Sequence, residues 1–316
     1  MVWYLRRSLA ASSASTYMTG VRSYHNFCLS QSIIVFPVSQ ESLCYFVAAE
    51  ANRGLGYNSI KVYLCGVLHQ NTLLGFRAAV SDYPILFHML RGIRRVQGNS
   101  RRRAPKLPIT PQHMSSIALY IRQSNMPRRD KLMFMAAVLA AFFGLLRISE
   151  YTSPTGSRFD PSLHLTRDDI SFNRKASIMF LRIKGSKTDP FRIGHIIRIS
   201  STSALLCPVT AMRSYLRSLP SDKLPLFRLD NGVFLTRRHI MLLLRQALPN
   251  IGNISTHSFR IGGASAALSA GASDALIKIL GRWSSDSYVR YLRVSDQLIA
   301  DFQRLMTRVS HTNIFY

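Results

Sequence analysis

No charged residue interrupts the chain between Leu132 and Leu146, and this apolar stretch constrains the fold more than any other feature. Arg128, Arg129, Asp130 and Lys131 precede it, and Arg147 follows it. A bilayer span needs roughly 20 apolar residues, so the stretch is too short to cross a membrane comfortably. We read residues 130–144 as a helix buried in the core of a domain. A guanidinium then stands at the end of that helix, where it is costly unless a carboxylate or another anion meets it.

Ahead of this helix, residues 12–30, 40–52, 57–75 and 83–96 place apolar residues at three- and four-residue spacing, with Gly, Ser or Pro between the runs. Val21, Tyr24, Phe27 and Cys28 form one such stripe. These segments predict a small helical domain over residues 1–98, and the basic, proline-closed stretch 99–109 reads as a linker. Thr110-Pro111 opens a second domain, 110–316, as an N-cap with a proline just inside its helix. Residues 170–172, 177–183 and 192–199 alternate as strands of a three-stranded sheet, with Lys184 and Lys187 in the turn between the last two. Helices are predicted over 208–219, 237–247, 257–269, 274–280, 285–293 and 295–306. The fold class is therefore mainly α with a small antiparallel β-sheet (α+β).

The chain carries 41 Lys+Arg against 15 Asp+Glu, a formal charge of +26. A charge of that size calls for a polyanionic partner, and nucleic acid is the first expectation. The excess is not confined to a tail, since residues 1–103 hold 12 Lys/Arg against 3 Asp/Glu. Arg91, Arg94, Arg95, Arg101, Arg102, Arg103 and Lys106 crowd into one stretch with no compensating acid, which points to phosphate contact. No acidic cluster suggests a two-metal nuclease, because Asp168-Asp169 is the one adjacent pair and strand neighbours point to opposite faces. No phosphate-binding glycine motif implies ATP, so no metal, cofactor or small-molecule ligand is expected. Cys28, Cys44, Cys65 and Cys207 lack metal-site spacing and read as buried, reduced thiols of an intracellular protein. Arg6-Arg7 is not followed by a secretory apolar region.

Several residues downstream have the chemistry of phosphodiester cleavage. Arg147 and Arg260 can each bind non-bridging phosphate oxygens through a planar fork. For Arg147 the competing reading is a structural ion pair with Glu150. His257 lies three residues before Arg260, on the same helical face, and titrates near neutral pH. Trp283 can donate one hydrogen bond through its indole nitrogen. Tyr291 is a candidate nucleophile, and Tyr288, one turn earlier, shares its face.

The ordered set resembles the tyrosine recombinase (phage integrase) family over nearly the whole chain. Gly144-Leu-Leu-Arg147-Ile-Ser-Glu150 looks like its first-arginine box, and His257-Ser-Phe-Arg260 like its HxxR box. Gly281-Arg-Trp283 stands where most members have Gly-His, and Tyr291-Leu-Arg matches the ending of the nucleophile segment. The wording is closest to eukaryotic mobile-element recombinases of the DIRS, Ngaro and Crypton kind. One departure is that Trp283 and Tyr291 lie one residue closer than the usual spacing. The resemblance implies an N-terminal helical core-binding (SAM-like) domain and a C-terminal catalytic domain that clamp double-stranded DNA. It further implies Lys187, rather than its competitor Lys184, as proton donor, with Glu150 and Asp189 supporting Arg147 and the Lys187 turn. Tyr291 would form a 3′-phosphotyrosyl link within a homo-oligomer, a tetramer on paired sites, in the nucleus. The helix 295–316, with Leu298, Phe302, Leu305 and Met306, would dock on a neighbour. A silent DNA-binding protein and a type IB-like topoisomerase are the competing readings.

Overall fold

The computed structural model describes residues 2–5, 8–77, 79–100, 104–185, 189, 191–202, 204–220, 222–294 and 296–306. The chain divides into two compact units, residues 1–104 and 105–316.

The first unit is helical, with α1 (Val2–Leu5), α2 (Ala11–Ser30), α3 (Gln40–Asn52), α4 (Tyr57–Leu73) and α5 (Pro84–Ser100). Its core gathers Tyr24, Cys28, Leu43, Phe46, Ile60, Leu64, Val67 and Leu86, so the stripe on α2 faces inward as its spacing requires. α2 and α4 cross so closely that a Cβ on Gly20 or Gly66 would meet the backbone of the other helix. Ser39 starts α3 by accepting a bond from the Ser42 amide at 3.1 Å, and the Ser42 hydroxyl accepts in return from the Ser39 amide.

α5 runs to Ser100, four residues beyond the predicted end. The Gln97 side chain explains the extension. It accepts from the Tyr57 amide at 2.7 Å and donates to the Leu55 carbonyl at 3.0 Å, tying the last turns to the start of α4. Arg91, Arg94 and Arg95 therefore sit on a helix, all exposed.

The second unit is built around α7 (Arg128–Phe143), whose residues from Met133 to Phe142 are buried except Met135. α6 (Pro111–Gln123) packs beside it, capped by Thr110, whose hydroxyl accepts from the His113 amide at 3.2 Å. The short α8 (Ile148–Tyr151) follows, then β1 (Ile170–Phe172), β2 (Ile178–Ile183) and β3 (His195–Ser200). The three strands form an antiparallel sheet in that order, with Met179 opposite Ile199 and Leu181 opposite Ile197. Met179, Leu181, Ile183, Ile197 and Ile199 all join the core, the inward face of a half-buried sheet. α9 (Pro208–Ser218) lies against α7. α10 (Arg237–Ala247), α11 (Ser258–Ser269), α12 (Asp274–Gly281), a 3₁₀ turn (Asp286–Tyr291) and α13 (Asp296–Met306) complete the unit.

Four local expectations change. The segment 285–293 forms a 3₁₀ turn over Asp286–Tyr291, not an α-helix. β3 begins at His195, because the Asp189 carboxylate accepts bonds from the Ile193 and Gly194 amides and closes the turn first. Residues 105–109 belong to the second unit: Leu107 and Ile109 donate backbone bonds to the Asn253 and Ser258 carbonyls, and Ile109 is fully buried. The four cysteines are free, but Cys65 is exposed and Cys44 half-buried, so only Cys28 and Cys207 are buried thiols. No helix among the described residues is long and apolar enough to cross a membrane.

Candidate active site

Two helix ends build the site. α7 stops at Gly144, and the next residue, Leu145, takes a left-handed conformation with φ 46°. The Leu145 amide donates to the Phe142 carbonyl and the Leu146 amide to that of Ala141, the bond pair of a Schellman cap. α12 ends in the same way. Arg282 is left-handed at φ 55°, with its amide on Ile279 and the Trp283 amide on Lys278. Glycine is the usual residue at that position, since a Cβ there is strained. Both caps carry a large side chain instead. Non-glycine residues in such conformations persist where surrounding contacts hold them, commonly at functional sites.

The caps leave carbonyl oxygens free at the end of α7, and arginines take them. Arg260, fully buried on α11, donates through Nη1 to the Leu145 oxygen and through Nη2 to the Gly281 oxygen at 2.5 Å. Arg282 donates through Nη1 to the Gly144 oxygen at 3.1 Å and through Nη2 to the Leu145 oxygen at 3.4 Å. α11 reaches this position because Gly262 and Gly263 let it lie against the backbone of Ile109 and Phe142.

One carboxylate serves the cluster. Glu150 is buried on α8, with Oε1 2.9 Å from Arg147 Nη1 and Oε2 2.8 Å from Arg282 Nη2. Its Oε2 also accepts from the Arg147 amide at 2.8 Å and so caps the helix that carries it. The structural ion pair foreseen for Arg147 therefore exists, shared with a second arginine. Arg260 has no carboxylate of its own, and its Nε is buried without a partner among the described residues. Burial, and then the neighbouring Arg147 and Arg282 cations, push its guanidinium down to about 9. Three guanidinium groups gather about one carboxylate, which leaves the cluster with excess positive charge.

Two aromatic rings lie against Arg260. The Trp283 ring centroid is 4.2 Å from its guanidinium carbon and the Tyr291 centroid 5.5 Å, with the two rings 5.2 Å apart. A Cβ on Gly281 would fall inside the Trp283 ring, so the glycine makes room for the indole. The Trp283 indole N–H has no hydrogen-bond partner among the described residues. Ser265 on α11 anchors the following backbone, donating to the Tyr291 carbonyl and accepting from the Arg293 amide.

Tyr288 is buried, its ring centroid 6.2 Å from that of Trp283, and the Asp274 carboxylate beside its phenol raises its pKa. His257 is the exposed residue preceding α11, so the same-face expectation for His257 and Arg260 becomes one residue at the surface and one in the interior.

Lys187 lies outside the described residues, as do Arg101, Arg102, Arg103 and the last ten residues of the expected docking helix, 307–316. Lys184 is committed: its ammonium lies 2.6 Å from Asp169 and donates to the Pro161 and His164 carbonyls. Asp189 holds the turn between β2 and β3, with no bond to Arg147 among the described residues. The Gly194 and Ile193 amides on its carboxylate hold its pKa below the usual range. Arg91 and Arg94 cover the rings of Phe87 and Tyr57, and Lys106 donates to the Asn253 side chain. Arg282 was not singled out from the sequence. Its only signal there was an arginine placed directly after a helix-ending glycine.

No protein-family model matches the chain, and no curated protein matches it in sequence. Solved structures do match in fold. XerH site-specific recombinase bound to a palindromic difH substrate superposes with a TM-score of 0.63 at 14% identity, covering 92% of this chain and 79% of that one. The Tn1549 transposon integrase in complex with circular intermediate DNA gives 0.55 at 14%, over 92% and 98%. A lambda integrase dimer bound to a core site gives 0.55 at 12%, over 91% and 73%. The chain has the tyrosine recombinase fold.

Proposed function

We propose that this protein is a site-specific DNA recombinase or integrase that cuts and rejoins DNA through a 3′-phosphotyrosyl intermediate. The observation that carries this reading is the under-neutralised cluster of Arg147, Arg260 and Arg282 around Glu150, with the Tyr291 ring against Arg260. A phosphodiester gains a second negative charge as it becomes pentacoordinate, and fixed buried cations stabilise that gain most. At an effective dielectric near 20, a unit-charge pair at about 4 Å is worth about 4 kcal/mol.

In this mechanism the Tyr291 oxygen attacks the scissile phosphorus while the P–O5′ bond breaks. His257 takes the phenolic proton, and Lys187 supplies a proton to the departing 5′-oxygen. A 5′-hydroxyl from a second duplex then attacks the phosphotyrosine and releases the phenol. The bond energy stays in the ester, so the exchange itself consumes no nucleotide. Tyr291 is preferred to Tyr288 because its ring lies against the Arg260 guanidinium, with the centroid 5.5 Å from the guanidinium carbon. Lys187 is preferred because Lys184 is held by Asp169 and two carbonyls. The first unit acts as the core-binding domain, and Arg91, Arg94, Arg95, Arg101, Arg102, Arg103 and Lys106 contact phosphates. Protomers assemble as a tetramer on paired sites. The mobile-element subgroup rests on the motif wording, and the nuclear location on that wording together with the basic linker.

The test is a duplex nicked near the cleavage point and carrying candidate terminal sequences of the host element, run with wild type, Tyr291→Phe and Tyr288→Phe. A covalent protein–DNA adduct lost only in Tyr291→Phe is the expected result. Loss only in Tyr288→Phe would move the nucleophile. DNA bound but never linked would support a silent binding protein, and site-independent relaxation of supercoils a topoisomerase.

A further inference from the structure

We infer that Arg282 is a positioning residue that keeps the Arg147 fork open for phosphate by holding Glu150 away from it. The inference rests on the phosphate-pocket reading above and adds a residue and a role to it.

Glu150 has two oxygens and two arginine partners. Oε1 engages Arg147 Nη1, while Oε2 engages Arg282 Nη2 and the Arg147 backbone amide, so the carboxylate meets the Arg147 side chain through one oxygen only. Arg147 Nη2 and Nε make no hydrogen bond among the described residues, which leaves half of the fork available. A carboxylate freed of Arg282 keeps only the Arg147 amide on Oε2, and turning that oxygen onto the Arg147 side chain would give the bidentate geometry that guanidinium and carboxylate prefer. It would then occupy the donors a phosphate needs and cancel the charge that attracts it.

The backbone at Arg282 points the same way. A left-handed residue at the end of a Schellman cap is most stable as glycine, yet the position holds an arginine at φ 55°. That strain is held by three contacts of one side chain, to the Gly144 and Leu145 carbonyls and Glu150, and by its burial to 9% side-chain exposure. An ion pair for stability alone would not need a strained residue to make it, whereas orienting a buried carboxylate that Arg147 also binds does.

The experiment uses the full chain with Trp3→Phe, so that Trp283, packed on Arg260, is the one remaining tryptophan. Inorganic phosphate is titrated at low ionic strength and read by Trp283 fluorescence, beside a thermal midpoint for each variant. Arg282→Gly, which relieves the backbone, is expected to weaken phosphate binding about tenfold, or 1.4 kcal/mol, without lowering the midpoint comparably. Arg282→Asn, also tolerated in this conformation, checks that result independently. Adding Glu150→Gln to either variant should recover most of the lost affinity, because no carboxylate is left to occupy the fork. Unchanged affinity in Arg282→Gly and Arg282→Asn, or a further loss on adding Glu150→Gln, overturns the inference and leaves the pocket reading standing. No phosphate response in wild type overturns both.

Discussion

Two arginines of the second unit are almost wholly buried, and their surroundings have opposite electrical balance. Arg228, 4% exposed, meets Asp222 with both amino groups, Nη1 at 2.8 Å and Nη2 at 2.5 Å. The Arg228 guanidinium bonds hold the Asp222 carboxyl below its usual range, so each charge stabilises the other. Arg260, fully buried, has carbonyl dipoles and aromatic faces but no carboxylate, and two further cations beside it. A one-to-one buried pair is a finished structural unit. A three-to-one cluster is held at a cost that an anion can offset. The contrast separates an arginine matched by one carboxylate from arginines gathered with excess positive charge.

The sharpest way to break this contrast is to make the same substitution on both sides. Arg260→Met should lower strand cleavage about 10²–10³-fold, the range for removing one preorganised charge-stabilising donor. Its thermal midpoint should move little, since losing an uncompensated buried charge offsets the lost carbonyl bonds. A large fall in midpoint with cleavage intact would show that Arg260 is structural after all.

Glu150→Gln comes next. It leaves the Arg147 and Arg282 cations facing a neutral amide, and should destabilise the protein by about 3 kcal/mol in denaturant unfolding. Millimolar phosphate should restore part of that loss, and a phosphate-independent midpoint would argue against an anion pocket.

Arg228→Met should cost about 2 kcal/mol, below the range for a fully buried pair because the Asp222 side chain keeps 32% exposure. Cleavage measured on the folded fraction should be unchanged. A loss of cleavage there would erase the distinction between the two arginines.

The smallest effect is expected at Asp189. The Gly194 and Ile193 amides hold its folded pKa below the ordinary ~3.9 of an unfolded aspartate. Its contribution is therefore complete above that value and disappears as pH falls through the lowered one. Asp189→Asn should flatten the fall of the thermal midpoint below about pH 4. An identical acid limb in both proteins would remove the turn-holding role.

Much of the architecture was legible because it is local. The alternation of β2 and the helical spacing of α2 fix which face turns inward, and Thr110-Pro111 marks a helix start by backbone chemistry alone. The Arg147–Glu150 pair was legible for the same reason, being three residues apart on one turn. The 3₁₀ turn that carries Tyr291 was not, because its apolar spacing suits an α-helix equally well. Nor was the end of α5, which depends on what Gln97 meets across the unit.

The sequence by itself determined the buried α7, the helical and strand segments around it, and the residue types able to handle a phosphodiester. Tertiary structure alone decided that Arg260 would share the Leu145 carbonyl with Arg282, and that Arg282 would share Glu150 with Arg147. Those contacts join segments more than 100 residues apart, where periodicity carries no information. Charge balance at a buried site is set by which segments meet there, and that is settled only when the helices pack.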